Sequence, residues 1–128
     1  MIKSLTNQEI CLIAEGLEKT IQDNENKVLF PFGINFLILK NKKLLSQLAR
    51  EILEEREKII SQYAEINKED NTAFIPKEEV EKINDILQEL FSIKQDINIQ
   101  TIYLEDIEDI MLTPSQAEAL MFMIKEEE

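Results

Sequence analysis

One uninterrupted stretch constrains the fold of this chain more than any other feature. Between Ile34 and Ile66 there is no glycine or proline, and apolar residues recur three, four or seven positions apart. This spacing predicts a single helix of about nine turns. Its expected buried stripe consists of Leu37, Leu44, Leu45, Leu48, Ile52, Ile59, Tyr63 and Ile66.

A helix of that length is larger than the core that such a chain can build. At about 1.5 Å per residue it extends roughly 50 Å, whereas a compact chain of this size has a radius of gyration of about 14 Å. The helix must therefore project from the domain or lie along partner helices. One partner is predicted at residues 77–93, which form a helix antiparallel to the end of the long helix. Its apolar face consists of Val80, Ile83, Leu87, Leu90 and Phe91.

Length and composition favour a single, mostly helical domain. The chain has 128 residues, of which 44% are hydrophobic, but only two Gly and three Pro. It can bury a core, and it has little of the turn chemistry that many short elements require. We therefore expect one domain over residues 1–128, of the α+β class and mainly α. The long helix lies in a helical hairpin, beside a small two- or three-stranded antiparallel sheet and flanking N- and C-terminal helices.

Two capping boxes predict where the flanking helices begin. Thr6 stands three residues before Glu9, and Thr113 precedes Pro114 and stands three residues before Gln116. In each box the threonine hydroxyl and the longer side chain satisfy backbone N–H groups at the helix start. The expected buried residues are Ile10, Ile13, Ala14, Leu17 and Ile21 in the first helix and Ala117, Leu120, Met121 and Ile124 in the last.

Three short apolar segments are the candidate strands, at residues 28–32, 72–75 and 96–104. Pro31 restricts the first to an edge of a sheet, because proline cannot donate to the ladder. In the third, the apolar alternation changes phase between Ile99 and Ile102, which predicts a bulge or a strand covered on both sides. We expect this third segment to pair with the first, the second or both.

The net charge of −12 is distributed unevenly, with +2 in residues 1–50 and −14 in residues 51–128. Such a surface repels nucleic acid and anionic membranes and attracts basic protein surfaces. The competing interpretation is ordinary solubility, since acidic helical surfaces are common.

Lys40, Lys42 and Lys43 form a basic cluster that could contact phosphate or an acidic partner. Without interleaved aromatic residues a solvated helix face is the favoured interpretation.

Several classes of active site are disfavoured by composition. There is no His, and Gly16 and Gly33 are too far apart for a glycine-rich phosphate loop. Cys11 is expected to be a buried structural thiol. The acidic run from Glu105 to Asp109 could hold Mg²⁺ or Ca²⁺, but it lacks the spacing and glycine of a calcium loop, so a solvated turn is favoured. We expect no catalytic residues, metal or cofactor. A cytoplasmic location is expected from the absence of a long apolar run or a signal segment.

Four segments resemble a family of small bacteriophage and prophage proteins of unknown function. They are LKNKKLLSQLAREILEEREKIISQYAE, the ELF of residues 89–91, INIQTIYLEDI and LTPSQAEALMFMI. The similarity spans roughly residues 34–125 and consists of a helix, a strand and a capped helix rather than a catalytic signature. The resemblance implies a phage origin, action in the bacterial cytoplasm and a non-enzymatic role, and it assigns no role to any residue.

The leading hypothesis is a stoichiometric inhibitor or adaptor that binds a basic surface of a host protein, such as a nucleic-acid-binding defence enzyme of the CRISPR type. The candidate partner-binding residues are Glu54, Glu55, Glu57, Glu105, Asp106, Glu108 and Asp109. The alternative is a virion structural or assembly protein that forms homo-oligomers through the long helix. A metal-dependent hydrolase built on the acidic turn is the third and weakest hypothesis.

Overall fold

The computed structural model of the chain describes residues 1–24 and 30–125. These ranges contain four α-helices and three two-stranded sheets, which confirms the mainly helical α+β class. The helices are α1 (Asn7–Asn24), α2 (Phe32–Tyr63), α3 (Val80–Ser92) and α4 (Pro114–Leu120). The strands are β1 (Ile2–Thr6), β2 (Glu65–Asn67), β3 (Thr72–Phe74), β4 (Lys94–Asn98), β5 (Ile102–Tyr103) and β6 (Ile124–Lys125).

The long helix is unbroken, as predicted, and α2 is 32 residues long. It ends at Tyr63 rather than at Ile66, because the chain turns into strand β2, where Ile66 is exposed. The buried line on α2 runs through Ile38, Asn41, Leu45, Ala49 and Ile52. Leu45 and Ile52 were predicted correctly, whereas Leu44 lies beside this line and remains partly in solvent.

The main neighbour of α2 is α1, and α3 and α4 pack around this pair. Ile10, Ala14 and Leu17 of α1 are buried as expected, whereas the side chain of Ile21 lies outside the described residues. On α3, Ile83 is buried but Val80 is exposed, contrary to prediction. The core is therefore centred on the α1–α2 contact, and α3 also contacts α2. The antiparallel hairpin of α2 and α3 stays a prediction.

The strand pairings differ from the predicted ones. β1 was not predicted, and it pairs antiparallel with β4 in a register that joins Ile2 to Asn98 and Thr6 to Lys94. β3 forms a hairpin with β2, and β5 runs parallel to β6. Residues 30–32 form no strand, because Pro31 is the residue that precedes α2. Residues 28 and 29 of that predicted strand lie outside the described residues.

Asn41 accounts for the interruption of the predicted strand at residues 96–104. Its side-chain Nδ2 donates to the carbonyl of Gln100 at 2.9 Å, and its Oδ1 accepts from the Gln100 backbone N–H at 2.8 Å. Gln100 thus receives from a side chain the pair of hydrogen bonds that a neighbouring strand would supply. As a result β4 ends at Asn98, and β5 begins at Ile102 as part of a different sheet.

Both predicted capping boxes are present. The Glu9 N–H donates to Thr6 Oγ1 at 3.1 Å and the Thr6 N–H donates to Glu9 Oε1 at 3.0 Å. Because the bond from the Thr6 N–H favours the ionised carboxylate, the pKa of Glu9 is lowered. At α4 the Gln116 N–H donates to Thr113 Oγ1 at 3.2 Å and the Thr113 N–H donates to Gln116 Oε1 at 2.9 Å.

The C-terminal segment departs from its predicted helix after Leu120. A 3₁₀ turn at Met121–Met123 follows α4 and leads into β6. A 3₁₀ turn has three residues per turn, so it rotates the side chains that follow away from the α-helical face. Met121, which was predicted to be buried, is 67% exposed, whereas Phe122 and Met123 are buried.

Among the described residues, none of the helices has both the length and the apolar content that spanning a membrane requires.

Candidate partner-binding site

The seven predicted partner-binding residues lie on two separate surfaces. Glu54, Glu55 and Glu57 are exposed on the C-terminal half of α2. Glu105, Asp106, Glu108 and Asp109, which we call the acidic turn, are exposed on the 3₁₀ segment and turn after β5. No member of the acidic turn lines the groove described next, so the two sets do not form one continuous site.

The first surface is a groove between α1 and α2, with a volume of about 830 Å³. We call it the α1–α2 groove. Its apolar part is formed by Cys11, Ala14, Ala49 and Leu53. Its acidic part is formed by Glu15 and Glu18 from α1 and Glu54 and Glu57 from α2, and Ser46, Arg50 and Lys58 complete the lining. The groove therefore combines an apolar floor with carboxylates contributed by both helices.

The ion pairs around this groove are exposed and therefore weak. Glu15 pairs with Lys19 at 3.1 Å, and Arg56 with Glu57 at 2.9 Å. Pairs of this kind typically contribute about 0–1 kcal/mol, because water and salt screen them. A partner cation can displace them at small cost.

Lys58 lines the groove but pairs with a carboxylate that lies outside it. Lys58 lies 4.0 Å from Glu55, three residues earlier, rather than pairing with Glu54. Glu55 does not line the α1–α2 groove, whereas Glu54 does. The structure thus separates Glu55 from the two α2 carboxylates that face α1.

Cys11 lies in the wall of the groove and is half-buried, rather than buried as predicted. Burial raises the pKa of its thiol. Because only the thiolate is strongly nucleophilic, a raised pKa makes this cysteine less reactive at neutral pH. Cys11 therefore acts here as an apolar part of the groove.

Ile107 holds the acidic turn against the core. It stands between the acidic residues in the sequence, and its side chain is buried. The backbone N–H of Ile110 donates to the carbonyl of Ile107 at 3.0 Å and closes the turn. Tyr103, Leu104 and Met111 flank it as exposed apolar side chains, Met111 with 89% of its surface accessible. The turn thus presents carboxylates beside exposed apolar groups. Within residues 1–24 and 30–125, no group of three or more Cys, Asp or Glu side chains is arranged to hold a metal ion.

Glu15 and Glu18 are the site residues that the sequence analysis did not identify. They stand three apart on α1, so they share a face of that helix. Helical spacing could show that they face solvent together. Their position opposite Glu54 and Glu57 follows from the packing of α1 on α2, which the pattern of either helix alone does not specify.

Comparisons with protein-family models, curated proteins and solved structures find no match to this chain. The resemblance to phage and prophage proteins thus stays a prediction.

Proposed function

We propose that this chain is a non-catalytic binding protein that inhibits or redirects a partner by receiving a basic, partly apolar segment in the α1–α2 groove. The observation that carries the proposal is the placement of carboxylates from two helices around an apolar floor. Carboxylates attract and orient a cationic segment, and burial of apolar surface supplies affinity. The acidic turn, with its exposed Met111, is a second contact surface for the same partner.

The charge of the whole molecule supports this choice of partner. With a net charge of −12 the protein attracts basic surfaces at a distance and repels nucleic acid. A protein that itself binds nucleic acid has such a basic surface. The resemblance to phage proteins supports a host defence nuclease of the CRISPR type as this partner, met in the bacterial cytoplasm.

Charge reversal in the groove tests the proposal. Purified wild-type protein and the variant Glu18→Lys/Glu57→Lys, whose two residues both line the groove, are used to capture proteins from a lysate of the bacterial host. We expect the wild type to capture a basic protein that moderate salt releases, since screening weakens attraction between charged surfaces. The variant should lose at least about tenfold in capture, because like charges then face the partner.

The matched control is Glu65→Lys/Glu69→Lys, which makes the same charge change in exposed residues of the β2–β3 hairpin. It should capture the partner as the wild type does. A second variant, Glu105→Lys/Asp106→Lys, measures the share contributed by the acidic turn. Capture that is insensitive to salt, or equal capture by the groove variant and the wild type, would contradict the proposal.

A further inference from the structure

The solvent face of α2 carries a stripe of exposed residues. Its members are Phe36, Lys40, Lys43, Gln47, Glu51, Glu54 and Lys58, and all seven are exposed. At about 100° per residue they project within about 40° of the direction of Gln47. We call them the α2 stripe. The buried residues of α2, from Ile38 to Ile52, lie on the opposite side of the helix.

The charges along the α2 stripe are ordered so that the stripe is complementary to a second copy of itself that runs in the opposite direction. Lys43 and Glu51 stand at equal distances before and after Gln47, and so do Lys40 and Glu54. The outermost pair, Phe36 and Lys58, is also equally spaced about Gln47. A second copy of the helix laid antiparallel, with Gln47 against Gln47, therefore places Lys40 and Lys43 against glutamates and each Phe36 ring near a lysine.

We propose that two copies of this chain form a symmetric dimer in which the α2 stripes pack antiparallel around a two-fold axis near Gln47. A two-fold interface is the commonest arrangement in symmetric oligomers, and it contains every contact twice. A parallel arrangement would instead place lysines against lysines. The ion pairs of the described residues include none with Lys43, Glu51 or Glu54, so these charges are available to a second copy.

The apolar part of the interface comes from the N-terminal end of α2. Phe32 is 86% exposed and Phe36 50% exposed, and the two rings stack with their centroids 6.3 Å apart. Lys40 Nζ lies 5.4 Å from the centroid of the Phe36 ring. Exposed aromatic side chains on a regular helix mark an interaction surface. In the dimer each Phe36 ring would meet Lys58 of the second copy, as a cation–π contact.

An anionic membrane is the less favourable occupant of this face, because the chain carries a net charge of −12 and its own stripe contains glutamates. An acidic segment of another protein would satisfy the lysines but would face Glu51 and Glu54 along the rest of the stripe. A second copy places glutamates against the lysines of one half of the stripe and lysines against the glutamates of the other half.

Charge reversal with complementation tests the dimer. Sedimentation equilibrium of the wild type over a range of concentrations should show a monomer–dimer equilibrium. Lys43→Glu and Glu51→Lys should each weaken dimerisation about tenfold or more, because each creates like-charge contacts twice per dimer. An equimolar mixture of the two variants should dimerise at least as well as the wild type. The double variant Lys43→Glu/Glu51→Lys should also recover dimerisation, since its charges are exchanged but still complementary.

The controls are Lys68→Glu and Glu69→Lys, which change the same charges in the exposed turn after β2 and should leave dimerisation unchanged. A wild type that stays monomeric throughout, or variants that fail to complement one another, would overturn the proposal. Glu54 and Lys58 belong to both the α2 stripe and the α1–α2 groove, but Lys43 and Glu51 lie outside the groove. The groove variant in turn changes two carboxylates that lie outside the α2 stripe. Loss of the dimer and loss of partner capture are therefore separate outcomes, and the dimer does not rest on the proposed function.

Discussion

Asn41 is a buried polar residue in the middle of the longest helix, where a sequence pattern leads one to expect an apolar side chain. It is 1% exposed, and its amide bonds both backbone groups of Gln100. Its Nδ2 also lies 3.4 Å from Met123 Sδ, so one side chain joins α2 to the β4–β5 connection and the C-terminal turn. A buried polar group is tolerated only when it is hydrogen-bonded, and within the described residues no buried side-chain polar atom lacks a partner.

Replacing Asn41 tests this role at the residue scale. Asn41→Ala removes both bonds to Gln100. The backbone N–H and carbonyl of Gln100, which are partly buried, then lack these hydrogen-bond partners. We expect the free energy of unfolding to fall by about 2–4 kcal/mol, because each unsatisfied buried group costs about 1–3 kcal/mol. Urea unfolding monitored by circular dichroism measures this free energy. Gln62→Ala, a change at an exposed residue of the same helix outside the α2 stripe, should stay within about 0.5 kcal/mol. Equal stability of the two variants would contradict the role of Asn41.

At the scale of elements, α1 is the helix on which the others pack. It contacts each of the other three described α-helices, α2, α3 and α4. Asn7 joins its beginning to the end of α3, because its Nδ2 donates to the carbonyl of Leu90 at 2.8 Å and its N–H donates to the carbonyl of Ile93 at 2.8 Å. The same side chain accepts from Gln95 Nε2 at 2.7 Å. α1 thus connects the helical core to the β1–β4 sheet.

Gly16 lies where α4 packs on α1, and the space there is large enough for one methyl group. A Cβ atom placed on Gly16 would lie 3.7 Å from the Cβ of Ala119, an ordinary van der Waals distance. Gly16→Ala should therefore raise the free energy of unfolding by about 0.5–1 kcal/mol, because alanine favours the helix interior. Gly16→Leu should lower it, since the larger side chain has to displace α4. Thermal unfolding of both variants checks the prediction, and destabilisation by alanine would mean that the two helices are closer than this distance implies.

At the scale of the whole molecule, the excess of negative charge sets opposite responses to salt for folding and binding. The folded chain concentrates a net charge of −12, so its carboxylates repel one another. Attraction to a basic partner arises from the same charges. Screening therefore weakens the repulsion within the folded chain and also weakens the attraction to the partner.

We accordingly expect the midpoint of thermal unfolding to rise by a few degrees as sodium chloride is added at neutral pH, while capture of the partner declines. Calorimetry of the free protein and capture in the same buffers measure the two trends. A midpoint that falls with salt would show that attractive pairs, rather than net repulsion, dominate the electrostatics of the folded chain.

The sequence by itself determined the features that depend on neighbours along the chain. The unbroken α2, the two capping boxes and the exposed acidic residues of α2 and of the acidic turn all follow from helical spacing and local hydrogen bonding. The exposure of Glu54 and Glu57 is one such feature, because both lie on a charged turn of α2 that the apolar periodicity leaves in solvent.

Tertiary structure alone decided which distant segments meet. β1 pairs with β4, Asn41 replaces a strand beside Gln100, and Glu15 and Glu18 come to face Glu54 and Glu57. Each of these pairings joins residues far apart in the sequence, and several alternatives satisfy the same apolar periodicity. Packing of α1 on α2 selects among them, because the free energy of burial depends on the whole set of contacts rather than on any one segment.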